Sequence, residues 1–150
     1  MVRISRKRIA LVVENDAATR DAVAKQLDDM KFDVVTANDV IAALRLLEQV
    51  TPDILIVDLT LPRESGLDLC DQVRTQSRFA HVQILVISDR HSPTDMANAE
   101  DAGANAFLRK PFTPERLSKY VTALLEGPHS SRPSVRRLRR SDAPPPPKND

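Results

Sequence analysis

Four apolar runs in this 150-residue chain end on a residue that could do chemistry. The run Ile9–Val13 hands over to Glu14, Asn15 and Asp16, and residues 54–57 hand over to Asp58. Residues 82–87 lead into Ser88 and Asp89, and residues 106–108 into Arg109, Lys110 and Pro111. A charged group placed directly after a fully apolar stretch is costly unless it serves a neighbour or a ligand. If these four ends meet, one pocket holds two carboxylates, an amide, a hydroxyl and an ammonium. Carboxylate oxygens with room for water suit Mg²⁺. A Lys and a hydroxyl suit the oxygens of a phosphoryl group, and an Asp between them is a candidate phosphoryl acceptor. The bland alternative is a cluster of helix caps and ion pairs without chemistry. It accounts for any one of these residues more easily than for the set.

The elements that would position them can be read from periodicity. IALVV, ILIV and ILVI are apolar at every position, the mark of strands covered on both faces, as in a parallel sheet. A weaker run covers residues 34–36. Amphipathic helices are predicted over residues 17–30, 39–50, 65–76, 93–102 and 114–126. Asn38 or Asp39 would cap the second, Ser92 before Pro93 the fourth, and Thr113 before Pro114 the fifth. Gly103 would end the fourth helix in a left-handed conformation. Five strand-then-helix units with right-handed crossovers give a doubly wound α/β sheet with helices on both faces. In such a sheet, ligands sit at the carboxyl ends of the strands, where the polar residues fall.

Composition removes other classes. A single cysteine, Cys70, excludes an internal disulfide framework and a Cys-based zinc site, and suits a reducing, cytoplasmic setting. No apolar run approaches the roughly 18 residues of a membrane helix. The glycines are only Gly66, Gly103 and Gly127, so no glycine-rich phosphate loop is present and nucleotide or flavin chemistry is disfavoured. His81, His91 and His129 share no metal-ligand spacing. The formal charge of +1 hides an uneven distribution: residues 1–8 carry +4, residues 127–150 carry 6 − 2 = +4, and residues 9–126 carry 12 − 19 = −7. Residues 1–8 are read as a basic extension and residues 127–150, with the run Pro144–Pro147, as a disordered Arg/Pro-rich tail. That tail could meet a polyanion through charge alone, but it has no interleaved aromatics, which argues against nucleic acid as a partner.

The segments ALVVENDAATR, PDILIVDLTLPRESGLDLC, ILVISD and GANAFLRKPF, with the spacing Asp58, Pro62, Gly66 and the Lys-Pro-Phe at residues 110–112, resemble the receiver domain of bacterial response regulators. The resemblance covers roughly residues 8–126. It implies a flavodoxin-like (βα)5 three-layer sandwich with strand order 2-1-3-4-5 and a cis bond before Pro111. It implies Asp58 as the phosphoacceptor, Lys110 and Ser88 as partners of the phosphoryl oxygens, and Phe107 as a switch aromatic. Glu14, Asn15, Asp58 and Thr60 would hold Mg²⁺. Asp89, Arg90 and Arg109 would belong to the switch and output surface, with Thr60 and Arg90 also placed where the family tunes the lifetime of the phosphoryl group. The implied partners are a sensor histidine kinase or a histidine phosphotransfer protein and an unnamed output protein. The expected protein is a stand-alone, single-domain regulator, monomeric or weakly dimeric, and not a turnover enzyme.

Asn15 departs from the family pattern, which has an Asp there as a direct metal ligand. The pocket then sums to −1 (Glu14, Asp58, Lys110), and Mg²⁺ is expected to bind weakly. Two readings stay open: phosphorylation with poor metal affinity, or a pseudo-receiver read without phosphate. Asp89 replaces a small residue and could narrow access to the pocket or point to solvent.

Overall fold

A computed structural model describes residues 6–127. The tail reading and residues 1–5 lie outside the described residues. The order of elements is β1 Ile9–Val13, α1 Ala17–Asp29, β2 Asp33–Ala37, α2 Val40–Leu47, β3 Ile54–Asp58, α3 Gly66–Arg74, β4 Gln83–Ser88, α4 Pro93–Asp101, β5 Ala106–Arg109 and α5 Pro114–Glu126. A short 3-10 turn, Ser77–Phe79, precedes β4. All strand pairs are parallel, and the sheet order is β2-β1-β3-β4-β5.

β3 and β4 are buried at every position, which is why their sequences show no alternation. Successive side chains feed two separate cores. Leu11, Leu55, Ile84 and Val86 pack on one face with α2, α3 and α4. Ala10, Ile54, Leu85 and Ile87 pack on the other with α1 and α5. The expected caps Asp39, Ser92 and Thr113 each accept a backbone N–H of the first turn, as do Asp16 and Ser65, the latter capping a helix that starts at Gly66 where the sequence reading began it at residue 65. Gly103 has φ +103°, a conformation that glycine adopts without penalty. β2 extends one residue beyond the apolar triplet at each end, because it is an edge strand whose middle is only half-buried.

Residues 6–8, read as an extension, are tied to the body. Arg8 O accepts from Asp33 N, and Arg6, Lys7 and Arg8 pair with Asp53, Asp33 and Glu126 at 3.4, 3.3 and 4.0 Å. Cys70 is buried on α3, and burial pushes its thiol up to about 12, so it packs as a small apolar group.

The helices are unequally anchored. α5 buries Leu117, Val121 and Leu124, whereas α4 buries only Ala99. Each fully buried Leu or Val is worth ~1.5–3 kcal/mol, so α4 has much the smaller stake in the core. Native-state hydrogen exchange should show α4 amides opening well before those of α5. Equal protection would contradict this packing account.

Candidate functional site

The ladder carries the four polar ends to one edge of the sheet. Val13 is level with Val57, Asp58 with Ile87, and Ser88 with Arg109. Backbone bonds continue one step past the strands: Leu59 N donates to Ile87 O and Lys110 N to Ser88 O. The side chains converge as a result. Lys110 Nζ donates to Glu14 Oε1 at 2.7 Å and to Asp58 Oδ2 at 2.9 Å, bridging the two carboxylates. The other oxygen of each carboxylate is also held. Asp16 N donates to Glu14 Oε2 at 3.0 Å, and Thr60 N donates to Asp58 Oδ1 at 2.9 Å.

Glu14 is 1% exposed, Asp58 6% and Ser88 0%. Burial pushes the Glu14 carboxyl above its ordinary range; hydrogen bonds from Lys110 and the Asp16 amide offset this in part, and the adjacent Asp58 adds to it. Burial alone would lower the Lys110 ammonium, but its bonds to Glu14 and Asp58 outweigh that and leave it raised. Two carboxylates and one ammonium therefore hold one another in place, at a net charge of −1.

The raised Glu14 carboxyl fixes the sign of a pH effect. From its ordinary value of 4.5 up to its raised value, the folded protein holds a proton that the unfolded chain has lost. The contribution of Glu14 to stability must fall as pH rises through that window. Urea unfolding of the protein and of Glu14→Gln should therefore give a stability difference that shifts against the parent as pH rises. A difference independent of pH would show that burial does not govern this group.

The loop from β3 to α3 shapes the mouth. Gly66 N donates to Leu59 O, and Ser65 and Asp68 form a reciprocal capping box. Gly66 backs directly on Asp58: a Cβ there would press on the Asp58 carbonyl oxygen and lie 3.1 Å from Val57 Cγ2. Arg63 has φ +69°, a left-handed conformation that costs a residue with a Cβ ~1 kcal/mol relative to glycine. Arg63→Gly should raise stability by up to about 0.5–1 kcal/mol in denaturant unfolding, less the extra chain entropy of glycine. A loss of stability would mean that the Arg63 side chain makes a contact worth more than its strain.

Ser88 Oγ accepts from Arg90 N at 2.8 Å, so the hydroxyl is held at the pocket edge by the turn after β4. The Arg90 guanidinium reaches Asp95, the third residue of α4, at 3.3 Å. Asp89 is exposed at the rim. Phe107 is half-buried against the α2–α3–α4 core, and Arg109 is exposed on the edge strand β5. Asn15 is exposed at the mouth, and the Lys110–Pro111 bond is cis.

Two contributors lay outside the sequence reading. Arg20 on the first turns of α1 donates to the backbone carbonyls of Glu14 at 3.0 Å and Asn15 at 3.4 Å, holding the β1–α1 loop. Its place one turn into the helix after the acidic run was the available signal. Arg74, buried at the end of α3, donates to Gly103 O, Phe79 O and Asn105 Oδ1. Asn105 Oδ1 also accepts from Ile84 N. Nothing in the local sequence marks Arg74 as buried.

The family model that matches is the response regulator receiver domain, over residues 10–122. A response regulator MprA of Mycobacterium leprae is 36% identical over 115 residues, covering 77% of this chain and 50% of the relative. The chain thus spans about half the length of the curated relatives it matches. Among solved structures, the chemotaxis response regulator CheY4 of Vibrio cholerae is 30% identical, with a TM-score of 0.76, over 80% of this chain and 100% of that one. A CheY-like receiver domain protein from Methanospirillum hungatei shares the fold at a TM-score of 0.76 and 21% identity, over 81% of this chain and 95% of that one. With its strand order, its carboxylate–ammonium pocket and a match across most of its length, the chain belongs to the response regulator receiver domains, the phospho-accepting modules of two-component signalling.

Proposed function

We propose that Asp58 accepts a phosphoryl group from a phosphohistidine on a sensor kinase or phosphotransfer protein, and that the modified pocket then changes which output partner the domain binds. The observation that carries this reading is the bridge from Lys110 Nζ to Asp58 Oδ2 and Glu14 Oε1. It places a fixed cation against the carboxylate that would react. In the transfer, a bond forms between an Asp58 oxygen and phosphorus as the donor N–P bond breaks, and the imidazole leaves. Lys110 meets the negative charge that arrives. The Ser88 hydroxyl, now accepting from Arg90 N, stands one residue past the position level with Asp58 on the adjacent strand and is the candidate donor to a phosphoryl oxygen. The protein assists this one transfer and is not a turnover enzyme. We place it in the cytoplasm, in keeping with its single buried thiol; no helix among the described residues is long and apolar enough to cross a membrane.

Receiver domains generally bind Mg²⁺ at this site. The donors here are of the right kind: the Asp58 carboxylate, the Asn15 amide oxygen and the Thr60 backbone carbonyl are hard oxygens at or near the mouth, with Glu14 behind them. The charge is low for the purpose. Asn15 is neutral, Lys110 already engages both carboxylates, and no group of three acidic, His or Cys side chains among the described residues is arranged to hold a metal. Such an ion would supply charge neutralisation for the incoming phosphoryl oxygens. The same deficit favours a second reading, in which the surface is read without phosphate.

Incubation with a small acyl phosphate over a Mg²⁺ titration separates the two. Phosphorylation predicts an adduct in the parent that is absent in Asp58→Asn, with a lower Mg²⁺ requirement in Asn15→Asp. An adduct formed only by Asn15→Asp would favour the phosphate-independent reading.

A further inference from the structure

Arg90 stands between the phosphoacceptor pocket and the start of α4 and is tied to both. Its backbone N donates to Ser88 Oγ at 2.8 Å, and its guanidinium donates to Asp95 Oδ1 at 3.3 Å. Asp95 does not depend on this partner. Its Oδ2 already accepts from Ser92 N at 3.1 Å and from Ser92 Oγ at 2.8 Å, within the capping box of α4. Nor does a cation suit the place, because the amino end of a helix carries partial positive charge and favours anions. The Arg90 side chain is 68% exposed, and ion pairs open to solvent are among the weakest in proteins. The guanidinium is therefore held lightly.

Arg90 also borders a cavity of about 350 Å³ whose lining takes in Asp95 and Asn98 on α4 and Leu59 and Thr60, the two residues after Asp58. Thr60 N donates to Asp58 Oδ1 at 2.9 Å, so the cavity adjoins the loop that holds the reacting carboxylate. Phosphorylation would replace the single charge of Asp58 with about −1.5 to −2. Among the described residues Lys110 is the cation paired with that carboxylate, and the neutral Asn15 gives a metal ion less charge to bind. A phosphoryl group outcompetes Asp95 for a guanidinium on two counts. It carries more charge, and its oxygens match the planar fork.

We propose that Arg90 is a second phosphoryl-binding cation, kept on Asp95 until the phosphoryl group arrives on Asp58. The inference rests on Asp58 as the acceptor. It has a consequence for α4. When Ser88 turns to the phosphoryl oxygens it releases Arg90 N, and when the guanidinium leaves Asp95 the other tie goes too. α4 buries only Ala99, so little core packing resists a shift of its first turn. Arg63 lines the same cavity, but from the β3–α3 loop and not from the turn that holds Ser88, and it serves as the control.

The test is titration of the full chain with beryllofluoride, a phosphoryl mimic, at saturating Mg²⁺, with occupancy read by fluorine NMR. Arg90→Gln should weaken binding about five- to tenfold. Asp95→Asn, which keeps an oxygen for the cap but frees the guanidinium, should tighten it about two- to fivefold. The double variant should bind no more tightly than Arg90→Gln, and Arg63→Gln should stay within about twofold of the parent. Melting temperatures within a few degrees of the parent confirm that each variant is folded. Beryllofluoride should also speed hydrogen exchange in the first turn of α4 in the parent and not in Arg90→Gln. Arg90→Gln binding as the parent does, Asp95→Asn tightening without Arg90, or an Arg63→Gln effect as large as that of Arg90→Gln would each overturn this inference alone. A parent that neither binds beryllofluoride nor forms the Asp58 adduct would overturn the acceptor reading with it.

Discussion

Gly66→Ala is expected to destabilise the fold by about 2–3 kcal/mol and to reduce the phosphoryl adduct at Asp58 sharply. Gly66 opens α3 and backs on the carbonyl of Asp58, with Val57 Cγ2 3.1 Å from where a Cβ would stand. The obstacle is backbone of a buried strand, not the end of a flexible side chain. Overpacking at such a place typically costs 1–3 kcal/mol, and relief requires the strand or the helix start to move. Either movement shifts Asp58 against Lys110. Gly103→Ala is the control. It places a Cβ 2.5 Å from Arg74 Cγ at a φ of +103°, so it should destabilise to a similar degree. It lies at the opposite edge of the sheet from Asp58, however, and should leave the adduct yield of the folded fraction near that of the parent. Denaturant midpoints at unchanged m-value measure the first effect, and adduct yield measures the second. Gly66→Ala within about 0.5 kcal/mol of the parent would mean that the loop is not held against Asp58.

Lys110→Met should cost about 2–4 kcal/mol at neutral pH and low salt, because it leaves Glu14 and Asp58 buried together with no cation between them. Lys110 is itself only partly buried, which keeps the effect below that of a fully enclosed pair. The cost should shrink as pH falls through the raised range of Glu14, since a protonated Glu14 no longer repels Asp58. It should shrink too on adding a divalent cation, which the variant pocket, at −2, would bind more strongly than the parent. Thermal melts of parent and variant with and without Mg²⁺ measure both dependences. A Lys110→Met protein as stable as the parent, with the same pH and Mg²⁺ response, would show that the bridge contributes nothing.

Much of this was legible in the sequence for identifiable reasons. An apolar run that ends on a polar or charged residue marks both a buried strand and its carboxyl end, so Glu14, Asp58, Ser88 and Lys110 are legible in the sequence as one candidate set. Caps such as Ser92 before Pro93 and Thr113 before Pro114 are local in mechanism and so local in signal. What was hidden depends on distant partners. Arg74 is buried because Gly103, Phe79 and Asn105 offer it oxygens from three other segments. The backbone amides of Asp16 and Thr60 that complete the carboxylate pocket carry no side-chain identity to read. Residues 6–8 are likewise paired with partners distant in sequence, Asp53, Asp33 and Glu126.

The central claim is that Asp58 is the acceptor, and chemical trapping tests it most directly. After treatment with a small acyl phosphate and Mg²⁺, borohydride reduction should convert the acyl phosphate to homoserine, read by peptide mapping. The account predicts that homoserine replaces Asp at position 58 alone, and that Lys110→Met lowers its yield. Reduction product at another carboxylate, Glu14 or Asp89 above all, or none at position 58 at saturating Mg²⁺, would contradict it.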